Sequence, residues 1–391
     1  MLHTENKILF ILGAYNHGGT EGQLLKLVKE LKKNTNIEIE IFFLNKYGDE
    51  DLLRQFLEQD IKIYGRRYDF ILQYRNESKL LLPLKKIIKN LNILKDLVLL
   101  MVTKRYSIVQ SFLPEANFFA TLAGLITFKK VCTGWRGLPS NMRSYRHKIV
   151  YSLVNTFSNF FSYKIIANTQ KIIDEKKVYE KFVSTKKIEV INNIFLKSDI
   201  SKEAKYYADE LFRKNELNET VNIITIANVK EYKGYIYAIE AIKLLPENYK
   251  YLMIGDDLED YFQQLQKKIS DYGIDERVLY LGKLNHDYAM AILQKAQIYL
   301  SPSKTEGLSN SILEALMYRK KIVASDVGGT SDLLEGGKLG YLYDLGDAYQ
   351  LSALLSQANS DDNLLLDKRI YLEKKYSGSS VVGKYLKAWN F

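Results

Sequence analysis

Short apolar runs alternate with longer amphipathic segments along the whole chain, a pattern that predicts repeated β-strand and α-helix units and parallel sheets. In the first half the predicted strands are 8–12, 37–44, 61–64, 108–111, 130–133, 164–167 and 189–191. After residue 220 the pattern restarts, with predicted strands at 221–227, 251–254, 278–281, 298–301 and 322–325. The predicted fold class is therefore α/β, with two successive doubly wound, Rossmann-like sheets.

The chain has 391 residues, which is long for one domain and favours two compact units. Residues 1–195 are predicted to form the first domain and residues 221–377 the second. The polar stretch 196–220 has no strong strand signal and is predicted to be a linker. A C-terminal helix at about 378–391 is predicted to pack back on the first domain. Two such domains imply a cleft, where strand carboxyl ends and helix N-termini face a ligand.

Composition excludes several classes of protein. The single cysteine, Cys132, leaves no intramolecular disulfide and fits a reducing compartment. The four histidines are scattered without metal-ligand spacing, so no metal site is expected. The apolar run 8–12 is short and leads into a glycine turn, which favours a buried strand over a signal peptide. Because no run approaches the ~18 apolar residues of a membrane span, we expect a cytoplasmic protein.

The net charge of +10 is unevenly distributed. Residues 1–200 carry 32 Lys/Arg against 19 Asp/Glu, whereas residues 201–391 carry 24 against 27. A one-sided basic field favours an anionic partner for the first half: a membrane surface, a pyrophosphate-linked lipid or a nucleic acid. The alternative without a binding function is a solvated basic surface that has no partner.

The most informative segment is 301–315, SPSKTEGLSNSILEA. A buried strand ends at Ser301, a loop containing Gly307 follows, and a helix is predicted to begin near Ser309 or Asn310, both good N-caps. The N–H groups and the dipole of such a helix start suit a diphosphate, and Gly307 permits close approach to the backbone.

Two carboxylates flank this turn, Glu306 in the loop and Glu314 in the helix, with seven residues between them. So placed, they would accept hydrogen bonds from two hydroxyl clusters of one ligand, on either side of a diphosphate. Two glutamates at this spacing also occur by chance. The pair indicates a ligand site only because it lies between a strand, a glycine turn and a capped helix.

The segment resembles the family-four retaining glycosyltransferases of the GT-B fold, whose signature is Glu, seven residues, Glu. The resemblance continues through the strand and Gly-Gly turn of 321–334 and through 340–343. It implies that Glu314 binds ribose hydroxyls of a nucleotide-sugar and that Glu306 lies against the transferred sugar. It also implies that the backbone N–H groups of Gly307, Leu308 and Ser309 face the sugar or diphosphate.

A second candidate element is 227–234, ANVKEYKG, which follows a strand. Lys233 is predicted to direct a cation at the donor phosphate, as a diphosphate leaving group requires. The family usually has Arg at the position of Asn228, so Lys230 is a candidate for the missing charge. The family pattern further places Gly18 and Gly19 against the diphosphate, and Lys283 and Leu284 where the backbone meets the nucleotide base.

In the first domain the family often carries a histidine where this chain has Arg136. A permanently charged arginine cannot be a general base, so its predicted role is electrostatic, with an ordinary ion pair as the alternative. The acidic pair Asp256-Asp257 resembles the Gly-Asp turn of the family, and no metal is assigned to it. The resemblance implies front-face retaining transfer without a protein nucleophile, in which the enzyme positions substrates and stabilises the diphosphate.

The predicted function is transfer of a sugar from a UDP- or GDP-linked donor to a glycan or polyprenyl-pyrophosphate-linked acceptor, as in bacterial capsule or O-antigen synthesis. An inverting transferase or a nucleotide-sugar epimerase stays open, with His17 and Glu115 as notable candidate bases. A non-catalytic membrane- or nucleic-acid-binding partner is the alternative from another class. Because no recognised nucleic-acid motif is present, nucleic acid is not an expected partner.

A basic and apolar stretch at 80–105 is predicted to hold the protein at the inner face of the cell membrane. Lysines recur there beside leucine and isoleucine, as in a helix that lies in a lipid interface. The basic cluster comprises Lys85, Lys86, Lys89 and Lys95, and each such residue contributes about 1 kcal/mol near an anionic leaflet. The alternative is that the apolar face of this helix packs on the first sheet.

Overall fold

The computed structural model of the chain describes residues 6–15, 18–67, 82–136, 145–179, 183–197, 199–361 and 369–391. The chain divides into two compact units. Unit 1 comprises residues 1–194 together with 376–391, and unit 2 comprises residues 195–375.

Unit 1 is built on a seven-stranded parallel sheet with the order β3-β2-β1-β4-β5-β6-β7. Its strands are β1 (Lys7–Leu12), β2 (Glu38–Phe43), β3 (Lys62–Tyr64), β4 (Ile108–Phe112), β5 (Val131–Trp135), β6 (Lys164–Ala167) and β7 (Ile188–Val190). The helices described between them are α1 (Gly19–Asn34), α2 (Glu50–Leu57), α3 (Leu82–Thr103), α4 (Pro114–Thr127), α5 (Tyr145–Phe161) and α6 (Gln170–Tyr179).

The central strands of unit 1 are buried almost throughout, as expected of a parallel sheet covered on both faces. The strand order reverses between β1 and β4, which pair in parallel from Ile8 to Ile11. Such a reversal leaves a crevice at the carboxyl ends of the two strands. Gly18 and Gly19, at the start of α1, follow β1 along the chain.

Unit 2 contains a six-stranded parallel sheet with the order β10-β9-β8-β11-β12-β13. Its strands are β8 (Val221–Ile226), β9 (Tyr249–Ile254), β10 (Val278–Tyr280), β11 (Ile298–Ser301), β12 (Lys321–Ser325) and β13 (Tyr341–Tyr343). Its helices are α7 (Lys202–Lys214), α8 (Tyr235–Leu244), α9 (Phe262–Asp271), α10 (His286–Lys295), α11 (Asn310–Met317), α12 (Thr330–Leu333), α13 (Ala348–Ser360) and α14 (Arg369–Tyr376).

The strand order of unit 2 reverses between β8 and β11. These strands pair through Ile223 with Ile298 and Ile224 with Tyr299, although more than seventy residues separate them along the chain. The loops 227–234 and 302–309, which carry the predicted site residues, leave the carboxyl ends of this strand pair. The topology therefore places the two sequence motifs next to each other.

The predicted doubly wound α/β architecture is confirmed in each unit, and every predicted strand is present. The stretch 196–220 differs from the linker that was predicted, because it contains α7 and belongs to unit 2. The helix is amphipathic although the stretch is mostly polar, because Ala204, Ala208 and Phe212 recur every four residues and are buried. Ser201 begins this helix by capping the backbone N–H of Ala204.

The C-terminal helix α15 (Gly378–Trp389) belongs to unit 1. Its buried Trp389 donates a hydrogen bond from Nε1 to Gln110 Oε1 at 3.1 Å, and its ring packs against Phe10. Both partners lie on central strands of the first sheet, so the chain end is tied into the core of unit 1. Within the described residues, no helix combines the length and apolar character needed to cross a membrane.

Candidate functional site

The start of α11 is fixed by a chain of buried hydroxyl groups. Ser309 is the N-cap and its Oγ accepts a hydrogen bond from the backbone N–H of Ile312 at 3.4 Å. Ser309 Oγ lies 3.2 Å from Ser311 Oγ, which in turn accepts a hydrogen bond from Tyr299 at 2.7 Å. Burial raises the pKa of Tyr299 on β11, so this phenol stays protonated and can donate. The first turn of α11 is therefore anchored to the sheet beneath it.

Two of the predicted site residues form an ion pair beside this helix start. Lys233 Nζ lies 2.5 Å from Glu306 Oε1, and Ser303 Oγ donates to the same carboxylate oxygen at 2.9 Å. The two charged side chains are only 17% and 13% exposed. Charges this far from water require a close partner, so each residue holds the other in place.

Gly234 sets the close approach of the two loops that carry this pair. Its φ is 71°, and a Cβ placed on it would lie 1.8 Å from the Pro302 carbonyl oxygen. The same loops are joined by the backbone N–H of Lys304, which donates to Tyr232 O at 2.8 Å, and by an ion pair between Lys304 and Glu231. Only glycine satisfies both the left-handed backbone and the short distance.

The other predicted carboxylate, Glu314, lies on α11 with its side chain 10% exposed. Its Oε1 is 3.1 Å from Nε2 of His286, the first residue of α10. His286 was not among the predicted site residues, because His17 was the histidine proposed as a catalytic group. The available signal was its place directly after the stretch of Lys283 and Leu284 that was predicted to meet the nucleotide base.

The cations near Asn228 are paired with the turn after β9. Lys230 Nζ lies 2.8 Å from Glu259 Oε1, and Lys283 Nζ lies 3.7 Å from Asp256 Oδ2. Asn228 itself is exposed. The role of Lys230 as a substitute for the missing arginine stays a prediction, and its ammonium is already held by a carboxylate.

Asp257 in this turn caps α9 by accepting hydrogen bonds from the backbone N–H groups of Tyr261 and Phe262, both at 2.9 Å. This capping contact gives one carboxylate of the acidic pair a structural role. Across the described ranges, no group of three His, Cys, Asp or Glu side chains is placed to hold a metal ion.

The predicted residues of unit 1 lie in separate places. Gly18 is the N-cap of α1 and Gly19 its first residue, with the buried carboxylate of Glu21 folded toward Gly18. Burial raises the pKa of Glu21. His17 lies outside the described residues, and Glu115 is exposed in the first turn of α4.

Arg136 is bound within unit 1 by its guanidinium. Nη1 donates to Asn193 Oδ1 and Nη2 to the Tyr385 hydroxyl, both at 2.7 Å, and the group lies over the Phe112 ring. These contacts connect β5, the end of β7 and α15. They give Arg136 a structural function, and its electrostatic role in catalysis stays a prediction.

Residues 208–375 match the family model described as Glycosyl transferases group 1. A Campylobacter jejuni alpha-1,4-N-acetyl-D-galactosaminyltransferase, named for a PP-undecaprenol-linked glycan, is 24% identical over 91% of this chain and 90% of its own length. The amylovoran biosynthesis glycosyltransferase AmsK of Erwinia amylovora is 31% identical over 38% of this chain. The chain spans 39% of the length of AmsK and 50% of that of an uncharacterized 41.2 kDa protein in the cps region of Klebsiella pneumoniae.

Solved structures share the fold over nearly the whole chain. Anabaena HepE in complex with UDP superposes with a TM-score of 0.78 at 17% identity, covering 98% of this chain and 99% of HepE. TarM superposes with a TM-score of 0.73 at 14% identity, covering 100% of this chain and 99% of TarM. The expected GT-B fold is thereby confirmed, and the family model together with the relatives supports a glycosyltransferase.

Gly234→Ala is expected to destabilise the chain by at least about 3 kcal/mol, because the new methyl group would combine a left-handed backbone with overlap on the Pro302 carbonyl. Gly273→Ala is the matched control, since Gly273 has a φ of 65° but no described atom within 4 Å of a new Cβ. The control is expected to lose about 1 kcal/mol. Urea denaturation of the full chain measures both losses, and equal values would show that the Pro302 contact does not restrain the loop.

Proposed function

We propose that the protein is a retaining glycosyltransferase that binds a nucleoside-diphosphate sugar on unit 2 and transfers the sugar to a glycan or lipid-linked acceptor. The observation that carries this proposal is the convergence of Lys233 and Glu306 at the start of α11, where the strand order reverses. A cation, a carboxylate and a helix N-terminus at one point match a ligand with phosphates and hydroxyl groups.

Lys233 is proposed to stabilise the leaving diphosphate. Its ammonium has three N–H donors, so it can keep the bond to Glu306 and still donate to a phosphate oxygen. The backbone N–H groups of Gly307, Leu308 and Ser309 precede α11 and supply further donors together with the helix dipole. Charge that develops on the departing diphosphate would therefore meet preorganised partners.

Glu306 is proposed to accept hydrogen bonds from the transferred sugar, and Glu314 from the ribose of the donor. Glu306 already accepts from Lys233 and Ser303 on Oε1, which orients the carboxylate in the loop. The proposed route, which the family resemblance implies, is front-face transfer, in which the donor phosphate takes the proton of the acceptor hydroxyl. The anomeric configuration of the product, read by NMR, separates this route from inversion.

The proposed donor is UDP-linked, with a GDP-linked sugar as the second choice. HepE, which shares the fold, has been solved with UDP and with UDP-glucose. The proposed acceptor is a polyprenyl-pyrophosphate-linked glycan in surface polysaccharide synthesis. The Campylobacter jejuni relative, aligned over most of both chains, is named for such a lipid-linked substrate.

We further propose that unit 1 works at the cytoplasmic face of an anionic membrane through α3. One face of this helix is buried in the core of unit 1 by Ile93, Leu97, Leu100 and Met101. Another set of apolar side chains on the helix is exposed to solvent: Ile87, Ile88, Leu91, Leu99 and Val102. Core packing and an apolar outer surface thus occur on the same helix, and only the second supports membrane contact.

The lysines of α3 differ in exposure. Lys86 and Lys95 are exposed and Lys85 is half-buried at the helix start, whereas burial lowers the pKa of Lys89. Residues 80 and 81 of the predicted amphipathic stretch lie outside the described residues. Lys85, Lys86 and Lys95 are therefore the better probes of a contact with lipid headgroups.

Glu314→Ala is expected to weaken donor binding, and Glu306→Ala to reduce kcat more than donor affinity. Losing a hydrogen bond to a charged group costs about 1.5–3 kcal/mol. Glu247→Ala, at an exposed glutamate after α8, is the control and is expected to change neither quantity. Calorimetric titration with UDP-sugars and GDP-sugars, combined with initial rates, separates the two effects. Wild-type donor affinity in the Glu314 variant together with wild-type turnover in the Glu306 variant would refute the site.

Turnover is expected to survive excess EDTA, because Lys233, backbone N–H groups and a helix N-terminus are proposed to hold the diphosphate without a metal. The measurement is the initial rate with and without chelator at saturating donor. Loss of activity that magnesium or manganese restores would show that a divalent cation neutralises the diphosphate instead.

Replacing Lys85, Lys86 and Lys95 with glutamate is expected to abolish binding to anionic vesicles at low salt. Each lysine contributes about 1 kcal/mol near an anionic surface, and the charge reversal adds repulsion. The control reverses three exposed lysines elsewhere in unit 1: Lys32, Lys33 and Lys62. Sedimentation with vesicles of graded anionic-lipid content compares the variants. Equal binding by the two triple variants would refute α3 as the contact surface.

A further inference from the structure

The contact between His286 and Glu314 adds a residue to the donor site that the sequence motifs did not include. His286 opens α10, and its Nε2 lies 3.1 Å from Glu314 Oε1. The two side chains differ in environment: Glu314 is 10% exposed and the imidazole is 54% exposed. The half-exposed imidazole of His286 therefore contacts the largely buried carboxylate of Glu314.

The backbone on both sides of this contact is held in place. Asp287, the next residue of α10, accepts hydrogen bonds from the hydroxyl of Ser201 at 2.5 Å and from its backbone N–H. On the other side, the backbone N–H of Tyr318 donates to Glu314 O at 2.9 Å within α11. The two helices thus present His286 and Glu314 to each other from fixed positions.

A buried carboxylate needs hydrogen-bond donors. A donor at a fixed position also favours one rotamer of the carboxylate side chain. An imidazole that donates to Oε1 satisfies part of this need and restricts the rotation of the carboxyl group. A carboxylate has about four lone-pair positions, so one bond to His286 does not exhaust its capacity to accept from a ligand. Glu314 is thereby able to bind hydroxyl groups in a preset orientation.

We propose that His286 is a positioning residue that orients Glu314 toward the two ribose hydroxyls of the nucleoside diphosphate, which makes the site selective for ribonucleotides over their dideoxy analogues. The inference rests on the proposed function, since it assumes that Glu314 binds the ribose. His286 acts through Glu314, and its effect must therefore depend on the hydroxyls that Glu314 contacts.

The experiment measures binding of UDP and of 2′,3′-dideoxyuridine diphosphate to the full chain by calorimetry, with GDP and its dideoxy analogue as a second pair. His286→Ala is expected to weaken binding of the ribonucleotide about 10-fold, the scale of one hydrogen bond to a charged group. The same variant is expected to bind the dideoxy nucleotide within about twofold of wild type, since no hydroxyl then contacts Glu314.

Two further variants test the geometry of the contact. His286→Gln places an amide N–H near the position of Nε2 and is expected to restore ribonucleotide binding to within about twofold of wild type. His286→Asn has the same amide on a shorter side chain and is expected to resemble His286→Ala. Thermal unfolding midpoints confirm that each variant is folded before binding is compared.

The outcomes separate this inference from the proposed function. Wild-type protein that binds neither UDP nor GDP overturns both. Wild-type protein that binds a ribonucleotide and loses affinity with Glu314→Ala, but not with His286→Ala, overturns the inference alone. An equal loss for the ribonucleotide and the dideoxy nucleotide in His286→Ala also overturns it, because the histidine would then act on the diphosphate or the fold.

Discussion

The ion pair between Lys233 and Glu306 is the interaction on which the candidate site depends. Both charges are mostly buried, and burying either one alone would cost several kcal/mol. The pair therefore makes the loop after β8 and the loop after β11 mutually dependent. The glycine at 234 permits this closeness, since the Pro302 carbonyl occupies the space of a side chain. The proposed phosphate-binding cation and the sugar-binding carboxylate are consequently placed by the same contact.

Around this pair, the supporting groups are polar and hydrogen-bonded to one another. The hydroxyl chain from Tyr299 through Ser311 to Ser309 ties the first turn of α11 to the sheet. Glu306 and Glu314 are both largely buried carboxylates, and each contacts one nitrogen-bearing side chain: Lys233 contacts Glu306, and His286 contacts Glu314. A site built in this way is ordered before a ligand arrives, which reduces the reorganisation needed when charge develops on a leaving group.

In unit 1, by contrast, the polar side chains of Arg136 and Gln110 make hydrogen bonds that stabilise the fold. Arg136 connects Asn193 and Tyr385, and Gln110 binds the indole of Trp389. These contacts fasten the last helix of the chain to the first sheet. The exposed apolar side chains of α3 are not accounted for by packing within this unit, and together with the neighbouring lysines they are the basis for the proposed membrane contact.

The strands were predictable from the sequence because buried parallel strands are short apolar runs, as in 8–12 and 298–301. The loop with Glu306 and the helix with Glu314 were predictable too, since a glycine turn and a serine cap mark them locally. Helix α7 was not predicted, because its buried residues are two alanines and one phenylalanine within a polar stretch. The partners Lys233 with Glu306 and His286 with Glu314 lie 73 and 28 residues apart, and no local pattern encodes such contacts. Only the pairing of β8 with β11, a property of the folded sheet, brings the first pair together. Only the tertiary placement of α10, whose first residue is His286, brings the second pair together.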